Sequence, residues 1–222
     1  MNVLALETAN EQCSVCIADE NQELYFQFDG RAKAQTQTVL PLIEQGLAQT
    51  GIELAKLSAI AFSRGPGSFS GVRINAAVTQ ALAWANDLPV VPVSTLQALA
   101  QAAHRVAGLT QVTAVLDARM QEVYIASYQL DTQGIMQPVD EEQLLSYSEA
   151  EQAVKFTVIG SGSALVKPEQ IQYKDISANA QDIATIARAD IQQKKWVSAE
   201  YALPVYLRDN AWKKISEQGK PH

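Results

Sequence analysis

The chain has 222 residues, enough for one large or two small domains, and its 47% hydrophobic and 18% charged composition supports a packed core and excludes a disordered chain. A net charge of −7, with 17 basic against 24 acidic residues, leaves it poorly equipped to hold a nucleic-acid backbone alone, because that affinity comes largely from cations. The opening Met1-Asn2-Val3-Leu4-Ala5-Leu6-Glu7 lacks the basic flank of a signal peptide, and no apolar run reaches the length of a membrane span, so a cytoplasmic protein without membrane contact is expected.

Short apolar runs at Val3–Leu6, Cys13–Ala18 and Leu24–Phe28, separated by polar turns, predict a three-stranded meander. A helical period over Gln35–Thr50 follows, carrying Val39, Leu40, Leu42, Ile43 and Leu47, with Pro41 expected in the first turn and Gly51 ending it. A strand at Ala59–Ser63 leads through a glycine-rich loop into a helix from about Ser70 to Asn86. A strand at Val90–Val93 enters a helix capped by Ser94 or Thr95 and running to about Val106. The second half opens as the first does, with strands at Val112–Leu116, Glu122–Tyr128 and Ile135–Val139. A helix (Glu141–Ala153), a strand (Phe156–Ile159) and a helix (about Asn179–Gln193) complete a shortened copy. The expected organisation is α/β, with a first lobe over 1–107, a shortened second lobe over 108–203 and a tail over 204–222.

Cys13 and Cys16 form a C-x-x-C within a strand, where a spacing of three sends the side chains to opposite faces; they read as two small buried hydrophobes, not as a redox pair at a helix N-terminus. Two histidines, His104 in a helix and His222 at the C-terminus, give no hydrolase constellation, and no G-x-S-x-G elbow is present. Arg64-Gly65-Pro66-Gly67-Ser68-Phe69-Ser70-Gly71-Val72-Arg73 joins a strand to a helix. It supports two readings: an anion cradle at a helix N-terminus, or a tight turn whose glycines allow close packing. It lacks the Gly-Lys-Ser/Thr of a P-loop. Glu7 and Asp117 each end the first strand of a half, where an acid commonly caps the following turn.

The duplicated strand-meander pattern resembles the actin, hexokinase and heat-shock chaperone superfamily, whose two ribonuclease-H-like lobes clasp ATP. Leu4–Ala9, Gly65–Arg73, Val93–Leu96, Asp117–Arg119, Glu122–Tyr124 and Pro204–Arg208, in that order, resemble the TsaB family within it. That resemblance implies two actin-like lobes and a subunit without catalysis of its own in the formation of threonylcarbamoyladenosine beside the tRNA anticodon. It implies a catalytic partner TsaD, a small ATPase TsaE in a ternary complex, tRNA reached only through the complex, and a competing homodimer. The catalytic relative carries a His-x-x-x-His metal pair where this chain has Thr95 and Leu99, so neither catalytic residues nor a metal or cofactor is expected. Gly160-Ser161-Gly162 is the nearest remnant of the second nucleotide loop. Glu7, Thr8, Gly65, Gly67, Ser68 and Asp117 are the vestigial candidates for an anion or nucleotide site. A nucleotide-binding protein or weak ATPase using the inter-lobe cleft is the alternative, and a peptidase acting on the partner a third reading that lacks a nucleophile and base.

The helix beginning near Ser70 is apolar or small around most of its circumference, whereas a helix covering one sheet needs a single stripe. Either the chain covers the second face itself or a partner does. The resemblance favours a helical bundle with TsaD, contacted through Val39, Leu42, Ile43, Leu47, Ile74, Val78, Ala81, Leu82 and Trp84. Trp212-Lys213-Lys214 in the tail reads as a local RNA contact or a solvated terminus.

Overall fold

A computed structural model describes residues 1–10, 12–31, 34–173 and 175–208; Trp212-Lys213-Lys214 lies outside them. Strands β1 (Asn2–Glu7), β2 (Cys13–Asp19) and β3 (Glu23–Asp29) form the antiparallel meander. The chain crosses through helix α1 (Gln35–Thr50) to β4 (Ala59–Gly65), parallel to β1, and through α2 (Phe69–Asn86) to β5 (Val90–Ser94), parallel to β4. The sheet order is β3-β2-β1-β4-β5. Central β1 is apolar from Val3 to Leu6 because both its faces are covered. Leu4, Leu6, Ile60 and Phe62 pack on one side with α1 and α2 residues, while Val3, Ala5, Ala59 and Ala61 face the other way.

The second sheet repeats the plan with one parallel strand beside its meander where the first has two. β6 (Gln111–Asp117), β7 (Glu122–Leu130) and β8 (Met136–Pro138) form its meander, and β10 (Thr157–Ile159) runs parallel to β6, giving the order β10-β6-β7-β8. Helices α4 (Tyr147–Ala153) and α5 (Ser163–Val166) cover its outer side. Between the sheets lie α3 (Thr95–Ala107) and α6 (Ala180–Gln192), which share one core with the inner faces of both. Ala98, Ala100, Ala102 and Ala103 let α3 sit close to its neighbours, and α6, within the stretch 108–203, packs on β1, β2, β4 and β5. This is the α/β architecture of two ribonuclease-H-like lobes, the second shortened.

Two expectations are corrected. The stretch expected as one helix from Glu141 begins with a strand, β9 (Gln143–Ser146), paired antiparallel to β7, and the helix starts only at Tyr147. The reason is a capping box: the Ser146 hydroxyl accepts from the Glu149 amide and the Glu149 carboxylate accepts from the Ser146 amide, so helix initiation is fixed at Tyr147. Pro41 lies in the second turn of α1 and not the first, on an exposed position.

The central helices are tied by a pair between a buried carboxylate and a partly exposed guanidinium. Asp182, 1% exposed, accepts from Arg105 at 2.8 and 2.9 Å and caps the Asn179 amide at 3.0 Å. Burial pushes the Asp182 carboxyl up while Arg105 pulls it down. Arg105→Ala strands this carboxylate and should cost about 2 kcal/mol in a urea titration, with Asp182→Asn recovering part of the loss in the double variant.

Candidate functional site

The two sheets turn their β1–β2 and β6–β7 connections toward a common cleft of about 950 Å³, whose walls include Gly67, Ser68, Thr95, Leu99, Asp117 and Gly160. Each connection begins with the acid read from the sequence. Glu7 Oε1 accepts from the Ala9 amide at 2.6 Å and the Asn10 amide at 3.3 Å. Asp117 Oδ1 accepts from the Arg119 amide at 2.8 Å, and its Oδ2 pairs with the Arg119 guanidinium. Both acids therefore serve their own turns.

Of the candidate anion residues, Gly67, Ser68 and Asp117 line the cleft; Glu7, Thr8 and Gly65 lie behind its wall. The glycine loop is occupied by the chain's own backbone. The Ser68 amide donates to the Ala9 carbonyl at 2.7 Å, and Thr8 Oγ1 donates to the Gly71 carbonyl at 2.8 Å. A Cβ at Gly67 would stand 2.5 Å from the Ala9 oxygen, and one at Gly71 2.0 Å from the Thr8 oxygen. These contacts favour the packing reading of the loop over the open cradle.

Glu7 is 1% exposed, and burial pushes its carboxyl up to about 7, against the smaller opposing pull of the Ser63 side chain and the Ala9 and Asn10 amides. The raised value means that the folded state favours the protonated acid, so its stabilising contribution is complete below about pH 4.5 and is lost as pH rises through about 7. Glu7→Gln should melt near the wild type at pH 5 and be more stable by about 2 kcal/mol at pH 8, read from thermal unfolding at both pH values.

Where the family resemblance set Thr95 and Leu99 against two histidines, both side chains are nearly inaccessible. Leu99 fills the space a Cβ on Gly160 would enter, at 2.6 Å, and Thr95 Oγ1 has no hydrogen-bond partner among the described residues. Cys13 and Cys16 fall in different cores, as their spacing implied, and burial raises both thiols, Cys16 to about 12.

The candidate partner face resolves into three groups. Val39 and Ile43 are 1% and 4% exposed within the first lobe's own core, so they cannot form an external surface in this conformation; the one-dimensional period placed them with α1's outer residues. Leu42, Leu47, Ile74, Val78 and Leu82 are half-buried along the α1–α2 margin. Ala81 and Trp84 are exposed, Trp84 at 70%, beside exposed Ala77 and Ala85. The buried side of α2 holds polar Asn75 and Thr79, both 0% exposed. Asn75 Nδ2 donates to the Leu6 and Ser63 carbonyls at 3.2 Å and to Ser63 Oγ at 2.7 Å, so this inward polar side chain is satisfied.

Comparison with known proteins places this arrangement. A family model described as TsaD: tRNA N6-adenosine threonylcarbamoyltransferase matches residues 30–203. The tRNA threonylcarbamoyladenosine biosynthesis protein TsaB of Escherichia coli is 37% identical over 97% of this chain and 98% of its own length, and that of Haemophilus influenzae 32% identical over 97% of each. The chain belongs to the TsaB family. The solved structure of YeaZ from Pseudomonas aeruginosa superposes with a TM-score of 0.85 at 36% identity, covering 93% of this chain and 99% of that one. Within the TsaB fold, three of the six candidate anion residues line the cleft, and of the nine candidate partner residues Ala81 and Trp84 are exposed. How Pro204–Arg208 is held is not legible in the sequence. The Val205 amide donates to the Arg64 carbonyl at 2.8 Å, and Arg208 ion-pairs with Glu122. The segment was visible only as part of a family signature, because no period marks a strap without secondary structure.

Proposed function

We propose that the chain is a non-catalytic scaffold subunit for threonylcarbamoyladenosine formation in tRNA, gripping TsaD through α2. The observation that carries this reading is the outward stripe Ala77, Ala81, Trp84 and Ala85, which leaves an apolar helix face in water. Alanines one turn apart let another helix approach closely, and the adjacent tryptophan supplies an anchor of the kind that dominates binding energy. The same face explains a competing homodimer, since it is self-complementary in chemistry. TsaE joins the pair to form a ternary complex, and tRNA is held by the complex, in keeping with this chain's charge of −7. The chain acts in the cytoplasm; among the described residues no helix is long and apolar enough to cross a membrane.

Catalysis resides in TsaD on this reading. Thr95 and Leu99 cannot ligate a divalent metal as imidazoles do, and Glu7 and Asp117 are engaged by their own turns. The test is calorimetric titration of the chain with TsaD of the same organism, together with tRNA modification by TsaD and TsaE with and without it. A stoichiometric complex and modification dependent on the chain are expected; no binding, or full modification without it, would overturn the reading. The orphaned Thr95 hydroxyl at the cleft wall favours a second reading, a nucleotide held between the lobes, and titration of the isolated chain with magnesium and ATP separates the two.

A further inference from the structure

The β6–β7 connection has a backbone that its residues do not favour. Arg119, Met120 and Gln121 stand consecutively at φ of 61°, 55° and 62°, the left-handed region, and none is glycine. Such conformations persist only where surrounding contacts impose them. Some of those contacts are local, the Arg119 amide donating to Asp117 and the Glu122 amide to the Arg119 carbonyl, and others come from the far end of the chain. Arg208 donates through one terminal nitrogen to the Ala118 carbonyl at 3.1 Å, places the other 3.6 Å from Met120 Sδ, and forms an ion pair with Glu122, so its fork embraces the turn.

The segment that carries Arg208 is anchored on the other lobe. The Val205 amide is bonded to Arg64 at the end of β4. Tyr206 accepts from Arg73 Nε at 2.9 Å, and the Arg73 guanidinium lies over the Phe69 ring of α2. Arg64 in turn reaches Glu142 of the second lobe with 3.2 Å contacts to both carboxylate oxygens. Val205, Tyr206 and Arg208 all line the cleft.

We infer that Pro204–Arg208 is a latch: fastened to α2 and β4 on one side, it closes the cleft mouth by holding the left-handed β6–β7 turn through Arg208, and it opens as a unit while both lobes stay folded. The side-chain contacts that close it are part-exposed and few, whereas the strands behind it are buried, so its opening free energy lies well below that of global unfolding. The strained turn stores part of the cost of closure and relaxes on release. This inference concerns the isolated chain and holds whether or not TsaD is its partner.

Native-state amide hydrogen exchange on the full chain tests it. In the wild type, the amides of Val205, Ala118 and Glu122 should exchange together, far faster than those of β1 and β4. Arg208→Ala should accelerate all three by about tenfold and leave β1 and β4 unchanged, while Arg208→Lys, which keeps the charge without the fork, should fall between. Tyr206→Phe, which removes the hydroxyl that Arg73 reaches, should loosen Val205 and the distant turn alike. The latch is overturned if the three wild-type amides exchange only at the core's rate, or if either substitution accelerates Val205 without the 118–122 turn.

Discussion

Gly71→Ala should lower stability by about 3 kcal/mol, a fall in melting temperature of about 10 °C, although it places alanine in the first turn of a helix. On intrinsic propensity the change would be favourable by about 1 kcal/mol, because glycine is the costlier residue within a helix. Position decides the sign. The added Cβ would meet the Thr8 carbonyl oxygen at 2.0 Å, and that oxygen belongs to backbone fixed at the end of β1. Neither side can yield: α2 is held on the sheet by buried Val72, Asn75 and Ala76, and Thr8 is tied to it through the Gly71 carbonyl. Ser70→Ala, one residue earlier and exposed, should stay within about 0.5 kcal/mol. A Gly71 variant as stable as the wild type would show that the glycine loop and the β1–β2 turn are not packed as described.

The second large effect is on binding. Ala81→Glu should weaken association with TsaD at least about 100-fold, because it forces an unpaired carboxylate into a desolvated helix contact, and Trp84→Ala should cost about 2 kcal/mol or more by emptying an anchor site. Both side chains are exposed in the isolated chain, so neither substitution should move its melting temperature appreciably. This separation distinguishes the exposed face of α2 from the first lobe's core. Ile43→Ala, in the core beneath α1, should lower stability and affect binding only in proportion to unfolding. Equal losses of affinity from Ile43→Ala and Ala81→Glu would place the interface elsewhere.

Much of the fold was legible from one dimension because the physics that sets it is local. The apolar run Val3–Leu6 of β1, the helix stop at Gly51 and the cap at Ser94 are all sequence-local, and each element they mark lies within a residue or two of its expected bounds. The strand at Gln143–Ser146 was not legible, since only its pairing with β7 and the cap at Ser146 distinguish it from the helix that follows. The candidate site was legible in part. Glu7 and Asp117 read both as turn caps and as vestigial site residues, and each accepts from an amide of its own turn. The composition of α2 showed more apolar surface than one stripe needs and left open what covers it; which residues face water could not be read, because its buried side uses Asn75 and Thr79 while alanines lie outside. Asn75 is buried on this helix because it is hydrogen-bonded to Leu6 and Ser63, a partnership that sequence position alone does not show. The strap at Pro204–Arg208 was invisible as structure for a different reason: its partners, Arg64, Arg73 and Glu122, lie more than eighty residues away.

Amide-exchange footprinting of the chain mixed with TsaD tests the central claim most directly. Slowed exchange concentrated over residues 70–86 of α2, with the β9 and β10 segments unchanged, is the result the account predicts; protection confined to the second lobe, with α2 exchanging as in the free chain, would contradict it.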